Sequence, residues 1–165
     1  YRLPDTAFGS FSFSWDTTYY ANYENDNDGD NLVGEYFDRS NNWRIRSNLL
    51  TRWEMGDWGA TWATRFYSKQ DEDCQFMVDY GYGDLCSDPD RVVDGANAAQ
   101  NRLGGATYHD ITGYWKAPWN AKITLGVNNA FDKTPPVSYS TFANSFDPAY
   151  DINGRFVYLQ YNQKF

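Results

Sequence analysis

Long apolar runs are missing from this sequence. None approaches the roughly 18 consecutive apolar residues of a membrane-spanning helix, so a helical membrane protein is excluded, whereas membrane-crossing strands are not. Basic residues are also few: 14 Lys and Arg stand against 22 Asp and Glu, which gives a net charge of −8. Because phosphate backbones require a basic surface, nucleic-acid binding is excluded.

Histidine and cysteine are scarce as well. His109 is the single histidine and Asp110 lies beside it, but adjacent strand residues point to opposite faces. No nucleophile accompanies this pair, so the sequence does not predict an enzyme. Cys74 and Cys86 share one acidic stretch without a nearby histidine to complete a zinc site. A disulfide formed in an oxidising compartment is the preferred interpretation, and two free thiols are the alternative.

Aromatic residues, in contrast, are abundant. The 165 residues suit one domain, and 7 Trp, 14 Tyr and 11 Phe exclude the low hydrophobicity of disordered chains. The first residue is Tyr1 and no signal-like segment precedes the first patterned stretch. We therefore expect residues 1–165 to be a piece of a longer protein whose export signal, if any, lies outside it.

The dominant pattern has a period of two, which predicts half-buried β-strands. Gly56-Asp57 marks a tight turn that joins the second and third strands into a hairpin. In the fourth strand large apolar residues occur on both parities, with Tyr108 on one and Ile111 on the other. The two faces of this strand therefore stay unassigned. The six predicted strands occupy residues 11–23, 43–55, 58–67, 106–116, 122–131 and 155–165.

Short and long connections alternate along the chain. Gly56-Asp57 and residues 117–120 are short, whereas the first loop (24–42), the second loop (69–105) and the third loop (132–153) are long. Membrane barrels have this rhythm, with short periplasmic turns and long extracellular loops. The expected fold is all-β, an antiparallel transmembrane β-barrel. A soluble β-sandwich, whose strands alternate similarly, is the alternative.

Aromatic side chains on one parity are expected to contact lipid. Trp43 and Trp53 lie about 34 Å apart along a strand, which is roughly 24 Å of height at a tilt of about 45°. This height matches the apolar band of about 25 Å between the aromatic girdles of a membrane barrel, so the two residues are predicted at opposite rims. The predicted membrane-facing set is Phe11, Phe13, Trp15, Tyr19, Trp43, Trp53, Trp58, Trp62 and Phe66.

Three motifs near the C-terminus carry a family resemblance. Residues 125–133 read LGVNNAFDK, Pro135-Pro136 follows, and residues 151–156 read DINGRF. Together they resemble the C-terminal end of TonB-dependent outer-membrane receptors. The resemblance implies a 22-stranded barrel filled by an N-terminal plug, of which this chain would supply the last six strands without the plug or the earlier strands.

The chain end resembles the assembly signal of outer-membrane proteins. Val157, Leu159, Tyr161 and Phe165 keep the alternation, although Gln163 departs from the usual apolar residue. The resemblance implies recognition by the barrel-assembly machinery and localisation in the outer membrane of a Gram-negative bacterium.

The function implied by the resemblance is energised uptake of a scarce nutrient such as a siderophore or an oligosaccharide. The implied partners are outer-membrane lipid, the plug and upstream strands of the same receptor, and the TonB complex. The soluble alternative implies an aromatic-rich β-sandwich that binds carbohydrate.

Candidate ligand-binding residues lie on the polar parity and in the third loop. Arg44 and Arg46 begin a cationic stripe, continued by Arg52 and Arg65, that is expected chiefly to pair with plug carboxylates. Ligand binding by Arg44 or Arg46 is a secondary expectation. The third-loop aromatics could stack on a sugar or an aromatic chelator, or pack against neighbouring loops. They are Tyr139, Phe142, Phe146 and Tyr150.

The first loop has the ligand spacing of a calcium-binding EF-hand. Its oxygen ligands would be Glu24, Asp26, Asp28 and Glu35, with Asp30 nearby, and Gly29 occupies the position of the sharp turn. A strand precedes the segment where an EF-hand has a helix. A solvated acidic loop is therefore the alternative to calcium, and no other cofactor is expected.

Overall fold

A computed structural model describes residues 1–24, 29–37, 39–141 and 145–164. Among these residues no helix is long and apolar enough to cross a membrane. Strands predominate, with one short helix and a 3₁₀ turn (Gly83–Leu85). The elements are β1 (Ser10–Tyr19), β2 (Glu35–Phe37), β3 (Ser40–Asn41), β4 (Ile45–Met55), β5 (Trp58–Tyr67), β6 (Gln70–Asp73), α1 (Gln75–Asp79), β7 (Val92–Val93), β8 (Ala96–Asn97), β9 (Gln100–Leu103), β10 (Ala106–Ala117), β11 (Ala121–Asn128) and β12 (Phe156–Gln163).

The six predicted strands form one antiparallel sheet in the order β1-β4-β5-β10-β11-β12. The predicted hairpin at Gly56-Asp57 is confirmed by the pairing of Met55 with Trp58. The turn at residues 117–120 is confirmed by the pairing of Ala117 with Ala121. Within the described residues β1 and β12 do not pair with each other, so the sheet is open and its place in a closed barrel stays a prediction.

The strand register settles the two faces of β10. Ile111 lies opposite Trp62 and Val127, whereas Tyr108 lies opposite Arg65. Ile111 and Trp115 therefore belong to the face that carries the exposed aromatics, which we call the apolar face. Tyr108 and the other β10 residues of its parity belong to the opposite, polar face. The pairing of β10 with β5 and β11 thus assigns its two faces, which the sequence of β10 alone left open.

The apolar face is uncovered in the described part of the chain. Trp15 is 75% exposed and Leu159 is 72% exposed, although residues of this kind are normally buried in water-soluble domains. Phe11, Phe13 and Trp53 are half-buried. The other predicted membrane-facing aromatics on strands are exposed, namely Tyr19, Trp58, Trp62 and Phe66. A β-sandwich would need a second sheet on this face, and the described residues supply none.

The prediction that Trp43 faces the membrane is wrong. Strand β4 begins at Ile45, after a bend at Arg44, so the period of two does not extend back to Trp43. The indole is only 8% exposed and packs on Tyr67 and Tyr150, with ring centroids 4.7 and 5.5 Å away. The rim assignment for Trp43 therefore fails, while Trp53 stays within β4 on the apolar parity.

The first residues of the chain pair with the outer edge of β1. The backbone N–H of Leu3 donates to the carbonyl of Phe11 at 2.9 Å, and Arg2 forms an antiparallel bridge with Ser12. A tight turn at residues 6–9 connects this segment to β1. Gly9 has φ +101°, and a Cβ there would lie 2.4 Å from the carbonyl oxygen of Glu54, so only glycine fits. This turn adds a further short connection at the end of the sheet that carries Gly56-Asp57.

The long loops build a second sheet at the opposite end. Its order is β3-β2-β6-β9, with β2 and β6 parallel. It joins strands of the first loop to strands that begin and end the second loop. These loops are thus ordered by their own backbone hydrogen bonds, and they cover the end of the polar face.

Candidate functional site

An aromatic cluster locks the third loop onto the polar face. Tyr67 and Tyr108 project from the main sheet, and Trp43 and Tyr150 pack on them. The indole N–H of Trp43 donates to the Tyr150 hydroxyl at 3.0 Å, and that hydroxyl donates to Gln70 at 3.4 Å. Tyr150 is only 4% exposed. The prediction that Tyr150 binds ligand is therefore wrong, because its ring and hydroxyl are used inside the loop cluster.

Burial makes the contribution of Tyr150 to loop stability depend on pH. Removal from water, reinforced by nearby Tyr108 and Asp147, raises the pKa of Tyr150 to about 12. The folded loop thus holds the phenolic proton more tightly than the unfolded loop, whose tyrosines ionise near pH 10. A raised folded-state pKa contributes stability that is complete below pH 10 and is lost as pH rises to 12.

We expect about 2 to 3 kcal/mol of loop stability to disappear between pH 10 and 12. Tyrosinate absorbance should be measured in the wild type and in Tyr150→Phe, which keeps the ring. The difference titration should have its midpoint near 12. A midpoint near 10 would show that Tyr150 is exposed to water and that the loop cluster does not form.

A buried carboxylate connects the second and third loops. Glu72, which is 2% exposed, accepts hydrogen bonds from the Asn101 amide at 2.7 Å and from the Ser138 hydroxyl at 2.6 Å. It also accepts from the backbone N–H of Tyr139 at 2.9 Å and of Ser140 at 3.3 Å. Four donors satisfy both oxygens, which makes a buried carboxylate tolerable. Sequence reasoning missed Glu72 because an acidic loop residue is normally solvated.

Arg65 links the main sheet to the third loop. Its guanidinium donates to Asp110 on β10 and to Asp151 in the third loop, each at 3.0 Å, and stacks over the ring of Tyr108. Asp110 also accepts the backbone N–H of Asn129 at 2.8 Å. Within the chain Arg65 thus already has two carboxylate partners. The expected pairing of Arg65 with plug carboxylates stays a prediction.

The two candidate ligand-binding arginines lie near the first loop. Arg44 donates to the carbonyl of Val33 at 3.5 Å, and the Arg46 guanidinium lies 5.9 Å from the Trp43 ring centroid and 5.8 Å from that of Tyr67. Both side chains are exposed. A role in ligand binding stays a prediction for both.

The predicted Cys74–Cys86 disulfide is present, with Cα atoms 6.0 Å apart. It lies in a small buried cluster with Met77 and Ala99, and Tyr139 packs against this cluster. Tyr139 therefore serves loop packing, one of the two roles that the sequence left open. The disulfide holds the helix α1 and the following turn in a region without a large core.

Replacing both cysteines by serine should loosen the second loop. Closing a loop of this length is worth about 3 kcal/mol in the chain-entropy model. We expect faster trypsin and chymotrypsin cleavage within the second loop, while the strands of the main sheet stay resistant. Detection of two alkylatable thiols in untreated wild type would contradict the disulfide itself.

The remaining third-loop candidates divide into two groups. Phe142 lies outside the described residues, while Phe146 is 40% exposed. The neighbouring Asp147 accepts a hydrogen bond from the Tyr36 hydroxyl at 2.8 Å. Burial first, and then the Asp147 carboxylate, raise the pKa of Tyr36. Phe146 is thus the described third-loop aromatic that keeps a large exposed surface.

The calcium prediction is only partly within the described chain. Asp26 and Asp28 lie outside the described residues. Glu24 forms an antiparallel bridge with Asn31, and Glu35 begins β2, so strands flank this segment on both sides. Burial, followed by the charge of Asp30, raises the pKa of Glu35. Calcium binding at Glu24, Asp26, Asp28, Asp30 and Glu35 stays a prediction.

The predicted assembly signal lies on the apolar face of β12. Val157, Leu159 and Tyr161 are exposed there, and Phe165 lies outside the described residues. The Tyr161 hydroxyl accepts from the indole of Trp119 at 3.3 Å. Near the short turns, Trp119 contacts Trp115, which stacks on Trp58. Trp58, Trp115 and Trp119 thus form one aromatic group at the short-turn end of the sheet.

Two cavities open among the loops. The larger, of about 410 Å³, is lined by carboxylates of Glu35, Asp71 and Asp73 together with Arg91. The smaller, of about 280 Å³, lies where the two ends of the first loop meet. Its lining is Tyr20, Tyr23, Val33, Asn41 and Asn42, none of which carries a charge.

Comparison with solved structures finds a similar fold in a copper transporter, OprC. The TM-score is 0.54 with 18% sequence identity, over 97% of this chain and 21% of that chain. This chain therefore spans about a fifth of the length of OprC, and at this identity the likeness concerns the fold alone. No protein-family model and no curated protein sequence matches. The all-β, mostly antiparallel fold thus has a counterpart in one segment of a transporter.

Proposed function

We propose that this chain is the C-terminal part of a TonB-dependent receptor in the outer membrane of a Gram-negative bacterium. The observation that carries the proposal is the six-stranded antiparallel sheet with an uncovered apolar face and a polar reverse face. In a membrane barrel the first face contacts lipid and the second lines the lumen. OprC, one segment of which has a similar fold, is a copper transporter.

The open edges of the sheet support a larger barrel. Unpaired backbone groups cannot be satisfied by hydrocarbon, so an open sheet is not stable in lipid. In the proposed receptor β12 pairs with the first strand of the whole barrel. The segment Tyr1 to Leu3 is the end of the strand that precedes β1, as its pairing with Phe11 and Ser12 suggests.

The proposed partners follow from the positions of the long loops and of the two sheet faces. The long loops lie outside the cell, and the polar face meets the N-terminal plug, on which the TonB complex acts. The barrel-assembly machinery recognises Val157, Leu159, Tyr161 and Phe165. The transported nutrient is proposed to be scarce, such as a siderophore or an oligosaccharide.

Membrane extraction tests the proposal directly. Cell envelopes that contain the full-length protein should be separated on a density gradient and washed with carbonate and with high salt. We expect the protein in the outer-membrane fraction, with release only by detergent. Release by either wash without detergent would contradict the membrane barrel and favour the soluble carbohydrate-binding alternative.

A further inference from the structure

The smaller cavity has the chemistry of a ligand site. Tyr20 and Tyr23 line it and are 51% and 53% exposed, and Val33 supplies an apolar wall. We propose that this cavity, here called the tyrosine pocket, binds one ring of a neutral saccharide. The proposal rests on the proposed function for the placement of the first loop outside the cell.

The unpaired side-chain oxygen of Asn41 indicates that the ligand carries a hydrogen-bond donor. The side-chain oxygen of Asn41 is buried and makes no hydrogen bond within the described part of the chain. Leaving a buried acceptor without a donor is unfavourable, and Asn41 is one of the residues that line the pocket. A sugar hydroxyl donates to such an amide oxygen, and the neighbouring Asn42 amide offers both donor and acceptor.

The tyrosine rings match the apolar C–H face of a sugar ring. The C–H groups on one face of a pyranose are weakly positive and pack on the electron-rich face of an aromatic ring. None of the described residues that line the tyrosine pocket carries a charge, in contrast to the larger cavity. Such a lining favours a neutral polyol over a charged ligand, because it offers no counter-charge of its own to replace lost hydration.

Backbone hydrogen bonds hold the pocket in place. The N–H of Tyr20 donates to the Arg44 carbonyl at 3.0 Å, and the Tyr23 carbonyl accepts from Leu32 at 2.8 Å. Asn41 is fixed by the pairing of β3 with β2. Because the backbone of these residues is positioned before binding, the ordering cost of binding is reduced.

Calorimetric titration of the detergent-purified, full-length protein tests the inference. The probes are glucose, galactose, cellobiose and maltose at millimolar concentrations. We expect at least one to bind, and Tyr20→Ala with Tyr23→Ala to weaken its binding about ten-fold or more. Replacing the same two residues by Phe keeps the rings and should retain most of the affinity. Asn41→Leu, which removes the acceptor, should also weaken binding several-fold.

A matched control separates the pocket from general effects on the loops. Tyr82 is 59% exposed in the second loop and does not line the pocket, so Tyr82→Ala should bind like the wild type. Heat-modifiable gel mobility confirms that each variant is folded. Absence of binding by all four sugars, or equal affinity in the alanine variant and the wild type, would overturn the inference. Binding of benzyl alcohol in place of the sugars would also overturn it. These outcomes are independent of the extraction experiment that tests the receptor itself.

Discussion

Replacing Leu159 by arginine should remove most of the protein from the outer membrane. Leu159 lies near the middle of β12 on the apolar face and is 72% exposed. In the proposed barrel this side chain contacts the centre of the bilayer, where an arginine costs about 2 to 4 kcal/mol. The variant should show less heat-modifiable, folded protein in the outer membrane and a lower free energy of unfolding in lipid vesicles.

The adjacent residue provides the matched control. Gln160 is also exposed on β12 but lies on the polar face, opposite Thr124. Gln160→Arg adds the same charge to the surface that would line the lumen, so we expect nearly normal assembly. Equal loss of folded protein in the two variants would contradict the assignment of the faces.

Replacing Glu72 by alanine should release the third loop from the second. The change leaves the donors of Asn101, Ser138, Tyr139 and Ser140 without their acceptor. Since each unpaired buried donor costs about 1 to 3 kcal/mol before water enters, we expect a local loss of about 3 kcal/mol or more. Hydrogen exchange followed by mass spectrometry should show faster exchange at residues 138–141, with unchanged protection in β4 and β5.

An exposed carboxylate in the same loop serves as the control for Glu72. Asp84 is exposed, so Asp84→Ala removes an equal charge without opening a buried network. Its exchange pattern should match that of the wild type. If Glu72→Ala also leaves residues 138–141 protected, the carboxylate does not connect the loops.

The strands and their order could be predicted from local pattern. Alternation in β1, β4, β5, β11 and β12, together with the turn at Gly56-Asp57, predicts the antiparallel sheet because each strand pairs with the next one in sequence. The cysteine pair was also predictable, since the two residues share one loop. The pattern ceased to be reliable at strand ends, as Trp43 shows, because a bend breaks the parity on which the prediction depends.

The sequence by itself determined a six-stranded sheet with one aromatic face, short turns at one end and long loops at the other. Only the tertiary structure decided the faces of β10, which depend on its partners in β5 and β11. It also decided that Tyr150 and Arg65 are used within the loop cluster and that Glu72 is buried. The physical reason is range: alternation and turns act between neighbours in sequence, whereas Glu72 and Ser138 are brought together by loops that close over the polar face.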